Sequence, residues 1–240
     1  MRSSKSPVAN IRDFFHGNVC DLAMRRWLGQ DSPEPGWMLA HVEELFSESI
    51  ETARETGDGV VRWRSATDRA EVMEFCRELV TRLEPILQRY ALPFTWYPAE
   101  RFRVPVTVDG REVVLVGERD LRVVDCDGRM AIWDLKATRD NSYYRKVLGQ
   151  LAFYSLSAAA EYGKFPAMTG LIQPMCDQQV LPVEITEQAQ REMAARIERT
   201  VRDIWAGRLA PKADDKGCDW CAVKAACPKF KLARPVRAAA

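Results

Sequence analysis

Between Phe102 and Lys136 the chain has the pattern of a meander of short β-strands. Apolar and polar residues alternate from Phe102 to Val108, as in a strand that buries one face. Asp109-Gly110 follows, a pair typical of a tight hairpin turn, and further apolar runs occupy 113–116, 121–124 and 130–136. A segment of this kind must form a sheet, and other elements of the chain have to cover its apolar face.

Helical patterns precede and follow the meander. Apolar residues recur at helical spacing in 10–29, 37–55 and 67–90, where Thr67 is a reasonable N-cap, and again in 143–162 and 186–207. A short apolar run from Met168 to Ile172 predicts one more strand between the last two helices. This order predicts an α/β fold with a mixed β-sheet flanked by helices.

Composition excludes several classes of protein. The 240 residues include 35 Lys and Arg against 34 Asp and Glu, a net charge of +1, with 47% hydrophobic and 29% charged residues. These values exclude collagen-like, coiled-coil and wholly disordered chains, and also a strongly basic protein that coats nucleic acid. With no run of ~18 apolar residues and no signal-peptide pattern, we expect a cytoplasmic protein without membrane contact. The chain has no Walker A motif, so we expect no nucleotide cofactor.

Two acids and a lysine are the sharpest chemical feature. Asp120 closes the segment Gly117-Glu-Arg-Asp, which we expect where one strand gives way to the next. In Asp134-Leu135-Lys136, at a strand end, alternation puts Asp134 and Lys136 on one face. Two readings stay open from these residues alone. They form either an ordinary surface ion pair or a divalent-cation site able to hydrolyse a phosphodiester.

In order and spacing the chain resembles the PD-(D/E)XK nuclease superfamily, and more closely its RecB-type branch. The match comprises G-x-x-D, D-x-K and a following Q-x-x-x-Y. The resemblance implies a restriction-endonuclease-like fold and a DNA nuclease dependent on Mg²⁺ or Mn²⁺, expected to be an exonuclease on single-stranded ends or flaps. It implies these catalytic residues: Asp120, Asp134, Lys136, Gln150 and Tyr154. It implies these metal ligands: His41, Asp120, Asp134 and the Leu135 carbonyl.

Three of the seven cysteines form a cluster near the C-terminus, Cys218-x2-Cys221-x5-Cys227. Their spacing is typical of thiolate ligands, and the residues leave both zinc and an iron–sulfur cluster open. The triplet resembles that of AddB-type helicase-nucleases and of the CRISPR-associated nucleases numbered four. This resemblance implies a 4Fe–4S cluster whose fourth ligand is Cys20, joining the N- and C-terminal segments, with Zn²⁺ as the alternative. The family often has Pro after the first cysteine, where this chain has Asp21.

We expect three parts: residues 1–35 with the first cluster cysteine, a nuclease core at 36–210, and the cysteine cluster and tail at 211–240. Expected partners are DNA and, through the resemblance, a helicase or the proteins of a recombination or CRISPR complex. A different class of function stays open, that of a non-catalytic, cluster-bearing DNA-binding subunit of a recombination or CRISPR adaptation complex. By the same resemblance Glu100, which we expect before the first strand, is a candidate for positioning a metal-bound water.

Overall fold

The computed structural model describes residues 15–31, 33–56, 61–91, 93–139 and 144–208, and excludes the side chains of 56 and 144–146. Cys218, Cys221 and Cys227 therefore lie outside the described residues. Within the described ranges no helix is long and apolar enough to cross a membrane. The helices are α1 (Phe15–Leu28), α2 (Trp37–Ala40), α3 (Val42–Thr56), α4 (Ala66–Tyr90), α5 (Tyr144–Tyr162) and α6 (Glu187–Trp205). The strands are β1 (Thr95–Val108), β2 (Arg111–Val124), β3 (Met130–Leu135), β4 (Met168–Ile172) and β5 (Val180–Pro182).

The strands form one mixed sheet in the order β1-β2-β3-β4-β5. The first three strands are antiparallel neighbours, β3 and β4 are parallel, and β5 returns antiparallel to β4. The α5 helix connects β3 to β4, as a parallel pair requires a crossover. The prediction of an α/β fold with a mixed sheet flanked by helices is confirmed.

The sheet has a hydrophobic core on each face. Helices α1, α3 and α4 pack on one face, with Leu121 and Trp133 from the strands. Helix α5 packs on the other, with Phe102 and Ile132. Because side chains alternate along a strand, Asp134 shares the α5 face with Ile132, and Trp133 points to the opposite core.

Several predicted boundaries differ from the structure. The expected break at Gly117–Asp120 is wrong, because β2 runs without interruption from Arg111 to Val124. Gly117 is needed inside this strand, since a Cβ there would lie 2.4 Å from Cζ of the Phe102 ring. The single helix predicted over 37–55 is two helices that meet at His41, and the N-cap of α4 is Ser65, not Thr67. Strand β5 was not predicted, since three residues are too few to show alternation.

Candidate active site

The register of the sheet brings two acids to the same place. The β2–β3 ladder ends at the pair Leu121–Trp133, so Asp120 and Asp134 occupy the next opposed positions, where the strands part. There, Oδ2 of Asp120 accepts a hydrogen bond of 2.7 Å from the main-chain N–H of Leu135. Asp134 has no solvent exposure. Two carboxylates that are 14 residues apart in sequence thus meet at one edge of the sheet.

A local distortion of β1 and β2 helps to aim Asp120. In the pairing of β1 with β2, Pro98 lies opposite Leu121 and Glu100 lies opposite Arg119. The residues between them, Ala99 and Asp120, are not paired, and Ala99 has a φ of +48°. Arg119 reaches α5, where its Nη2 donates to the hydroxyl of Ser157 at 2.9 Å. Adjacent residues of a regular strand point to opposite faces. The distortion lets Arg119 and Asp120 both turn toward the α5 face.

The pair is electrostatically strained. Burial is the main cause that raises the pKa of Asp134 to about 7, and the charge of Asp120 raises it further. Burial also raises the pKa of Asp120, against which the Leu135 N–H and the Lys136 charge act. Two carboxylates in one buried place cannot both be charged without a compensating cation. The geometry therefore creates a demand for positive charge.

Lys136 supplies part of that charge and begins a chain of polar contacts. Its Nζ lies 2.7 Å from Oδ2 of Asp134 and donates to Oε1 of Gln150 at 3.3 Å. Nε2 of Gln150 in turn donates to the hydroxyl oxygen of Tyr154 at 2.8 Å, across one turn of α5. Burial raises the pKa of Tyr154, so its hydroxyl stays neutral. The structure thus brings together Asp120, Asp134, Lys136, Gln150 and Tyr154.

The donor set fits a hard divalent cation. Among the described residues, Oδ1 of Asp134 has no hydrogen-bond partner, and Oδ2 is paired with the Lys136 ammonium at 2.7 Å. A buried carboxylate oxygen without a partner is costly, and a cation would satisfy it. Asp120, Asp134 and the Leu135 carbonyl are the groups at hand. Among the described residues no three or more His, Cys, Asp or Glu side chains are arranged to hold a metal.

His41 is not part of such a three-side-chain group. It lies between α2 and α3, where Nδ1 is 2.8 Å from the carbonyl oxygen of Trp37 and the ring stacks on the Trp37 indole. The main-chain N–H groups of Gly36 and Met38 donate to the buried Glu84 carboxylate, which fixes this turn. With Nδ1–H donating to Trp37, Nε2 keeps the lone pair that a metal ligand needs. The ligand role of His41 stays a prediction.

Cys20 lies on α1 in the core that α1, α3 and α4 share. Its side chain has no exposure, it is not in a disulfide, and burial raises the pKa of its thiol well above the ordinary value. Cys76, on α4, is a second buried free thiol close enough to influence it. Since the other three proposed ligands lie outside the described residues, the cluster stays a prediction.

Glu100 has a different place from the one expected. It lies inside β1, not before it, and its carboxylate accepts hydrogen bonds of 2.8 Å from both Arg119 and Arg122. Those bonds lower its pKa against the opposing effect of burial. A carboxylate held by two guanidinium groups is a structural tie between β1 and β2. No local sequence signal reveals it, because the partners come from a neighbouring strand.

Sequence reasoning did not predict that Asp21 lies near Asp120. Burial, and after it the charge of Asp120, raises the pKa of Asp21 to about 7, while Arg25 and Lys136 oppose the shift. Helix α1 therefore presents a third carboxylate to the neighbourhood of the site. Its only sequence signal was the departure from proline after Cys20.

The family of the chain follows from a match to a known family model. Residues 13–228 match the family model of the PD-(D/E)XK nuclease superfamily. A solved structure of a protein named SSO0001 shares 17% identity, with 92% of this chain and 97% of that chain covered and a TM-score of 0.46. A "Putative exonuclease" from Eubacterium rectale shares 11% identity, with 99% and 92% covered and a TM-score of 0.45. None of the curated proteins matches. With a family match over most of its length, the chain belongs to the PD-(D/E)XK nuclease superfamily.

Proposed function

We propose that this chain is a RecB-type, metal-dependent DNA nuclease that works as an exonuclease on single-stranded ends or flaps. The observation that carries the proposal is the meeting of Asp120 and Asp134 beside Lys136. Membership of the superfamily implies a nuclease with a DNA substrate. The preference for single strands and ends rests on the resemblance to RecB-type enzymes alone.

Asp120, Asp134 and the Leu135 carbonyl would hold Mg²⁺ or Mn²⁺, with His41 as a further proposed ligand. When bound, the cation would lower the pKa of a water molecule and neutralise charge on the phosphoryl group. Asp120 is already oriented by the Leu135 N–H, so the carboxylate needs little rearrangement to serve as a ligand. This preorganisation supports a catalytic rather than a purely structural pair.

Lys136 would stabilise the negative charge that develops on the phosphate. Its side chain is 24% exposed, so it can reach a substrate while the Asp134 side chain beside it is fully buried. Gln150 holds the ammonium from the other side and is itself oriented by Tyr154. We assign these two residues a positioning role, since each acts through Lys136.

End-labelled single-stranded DNA and supercoiled plasmid test the proposal, each incubated with Mg²⁺, with Mn²⁺ or with EDTA. We expect cation-dependent shortening of the labelled strand, and the order of product lengths gives the polarity. Asp134→Asn should abolish cleavage. Asp125→Asn is the matched control, because Asp125 pairs with Arg129 in the β2–β3 turn at the far end of β3.

Cleavage that persists in Asp134→Asn would remove this site from consideration. Binding of DNA by the wild type without cleavage under any metal condition would favour the non-catalytic DNA-binding subunit instead.

We also propose that Cys20, Cys218, Cys221 and Cys227 hold a 4Fe–4S cluster. Cys20 is not in a disulfide, so its thiol is available as a ligand, which supports the proposal. The other three proposed ligands lie outside the described residues. Visible absorbance with iron and zinc analysis tests it. Cys20→Ser should lose the iron, and Cys126→Ser, at an exposed free cysteine, should retain it. Stoichiometric zinc without iron would identify the Zn²⁺ alternative.

A further inference from the structure

A cavity of about 290 Å³, with polar and apolar lining residues, lies between α1 and α3. Asn18, Asp21 and Arg25 line it from α1, and Glu48 and Ser49 line it from α3. Its volume is near the lower limit of ~300 Å³ for pockets that hold small ligands. The acid pair and its lysine do not line this cavity, so it is a separate feature of the molecule.

One buried side chain in this cavity has an unmet hydrogen bond. Ser49 is 3% exposed, and its hydroxyl has no partner among the described residues. Ser47, on the same helix, bonds its hydroxyl to the carbonyl oxygen of Glu43 at 2.9 Å. A serine on a helix can ordinarily satisfy itself in this way. Because a buried polar atom without a partner is costly, the Ser49 hydroxyl would gain from bonding a polar group that enters the cavity.

The charges of the cavity favour a neutral ligand. The Glu48 carboxylate is paired with Arg26 at 2.5 Å, and the opposite charges of Asp21 and Arg25 lie on one helix face. An anion would meet the two carboxylates. A bare cation would meet Arg25, and no three acidic or metal-ligating side chains are grouped for it within the described ranges. Mixed donors and acceptors suit a neutral group that both donates and accepts hydrogen bonds.

Asp21 connects this cavity to the catalytic acids. It lies near enough to Asp120, Glu118 and Lys136 to interact electrostatically with each of them. Since Asp21 both lines the cavity and interacts with the acid pair, the cavity is a candidate position for a nucleotide that neighbours a phosphate held at the acids. Leu22 and Ala53 add apolar surface to the cavity, which a flat aromatic ring can cover.

We propose that this cavity is a subsite for the base of a nucleotide next to the scissile phosphate. Ser49 and Asn18 would bond the polar edge of the base, and the apolar wall would contact its ring. Single strands suit such a subsite because their bases are free to leave the stack. The inference rests on the proposed function and specifies how the substrate is held.

Oligonucleotides carrying one abasic residue at successive positions test the subsite. We expect wild-type cleavage at one bond to slow when the abasic residue occupies one fixed position relative to it. Ser49→Ala should slow cleavage of intact DNA by about three- to tenfold, as expected for one lost hydrogen bond, through KM rather than kcat. It should have no further effect on the abasic substrate. Ser47→Ala is the matched control and should behave as the wild type.

Anisotropy with the same oligonucleotides in EDTA measures binding independently of cleavage. An equal loss for Ser49→Ala on intact and abasic DNA would overturn the subsite, as would the absence of any position effect in both assays. DNA cleaved without a position effect would refute the subsite and leave the proposed nuclease standing. Position-dependent binding without cleavage would refute the proposed nuclease and leave the cavity standing as a site for a base.

Discussion

Asp120 and Leu135 are joined by a hydrogen bond of 2.7 Å from a main-chain N–H to a carboxylate oxygen. The bond crosses from β2 to β3 just where their regular ladder ends. It holds Asp120 against the strand that carries Asp134, so the two acids stay together despite their repulsion. The site is therefore formed before a cation binds, and its acids reduce the stability of the cation-free fold.

Asp134→Asn should stabilise the cation-free protein more at pH 8 than at pH 5. The folded-state pKa of Asp134 is raised to about 7, above the unfolded value of ~3.9. Its contribution to stability is therefore fully present below the unfolded pKa and is lost as pH rises through 7. Asparagine has no charge to bury, so the gain over wild type should grow between these pH values by on the order of 2 kcal/mol.

Urea unfolding in EDTA at the two pH values measures this gain. Asp125→Asn provides the comparison, because the hydrogen bond from Arg129 lowers the pKa of Asp125. Both pH values lie above its titration, so any effect of that variant should be the same at each. A gain for Asp134→Asn that does not depend on pH would show that the acid is not strained.

Divalent cations should raise the Tm of the wild type. A cation that binds only the folded state stabilises it by about 2.7 kcal/mol at one hundred times its Kd. The repulsion between Asp120 and Asp134 is the source of that affinity, so Asp134→Asn should lose most of the shift. Thermal unfolding against Mn²⁺ concentration measures it, with EDTA as the reversal. Equal shifts in both proteins would place the cation elsewhere.

Lys136→Met should reduce kcat by about 10²–10³-fold, the usual cost of removing one charge stabiliser from an active site. The methionine keeps most of the aliphatic stem, so the fold should persist by circular dichroism. Initial rates on single-stranded DNA give the comparison. Lys164→Met tests a lysine that caps the Gly128 carbonyl in the β2–β3 turn, far along β3 from the acids. If both variants cleave alike, Lys136 has no special role.

Tyr154→Phe should lower cleavage modestly, by about three- to tenfold, because it removes one neutral hydrogen bond that orients Gln150. Its effect should vanish in a Gln150→Ala background, since the tyrosine acts through that amide. Tyr162→Phe removes a hydroxyl on the same helix that donates to Glu100 at 3.0 Å. That control should leave kcat unchanged. If the losses of cleavage in Tyr154→Phe and Gln150→Ala add in the double variant, the tyrosine does not act through the glutamine.

Gly117→Ala should destabilise the fold by about 1–3 kcal/mol, the usual cost of overpacking. The new methyl group would lie 2.4 Å from the Phe102 ring. Replacing Phe102 by leucine in the same chain should recover part of the loss by making room. Urea unfolding of the single and double variants measures the coupling. A double variant that simply sums the two losses would mean that the glycine is needed for another reason.

Local patterns were sufficient for much of the fold and for part of the site. Thr186 caps α6 as predicted, and its side chain accepts from the Ala189 N–H at 3.2 Å. Helical spacing also places Gln150 and Tyr154 one turn apart, where they bond. These features depend on residues a few positions apart, which is the range over which backbone geometry alone sets distances. The expected break before Asp120 is wrong because β2 stays paired with β1 through this segment, where Gly117 lies opposite Phe102 and Arg119 opposite Glu100.

The sequence by itself determined the order of the acids and the lysine, and the common face of Asp134 and Lys136, since strand alternation is a property of neighbouring residues. Only the tertiary structure decided that Asp120 meets Asp134, that Asp21 comes near them from α1, and that Ser49 is buried without a partner. Those relations depend on strand register and on helix packing against the sheet. Both are set by the burial of side chains distant in sequence, which no local pattern records.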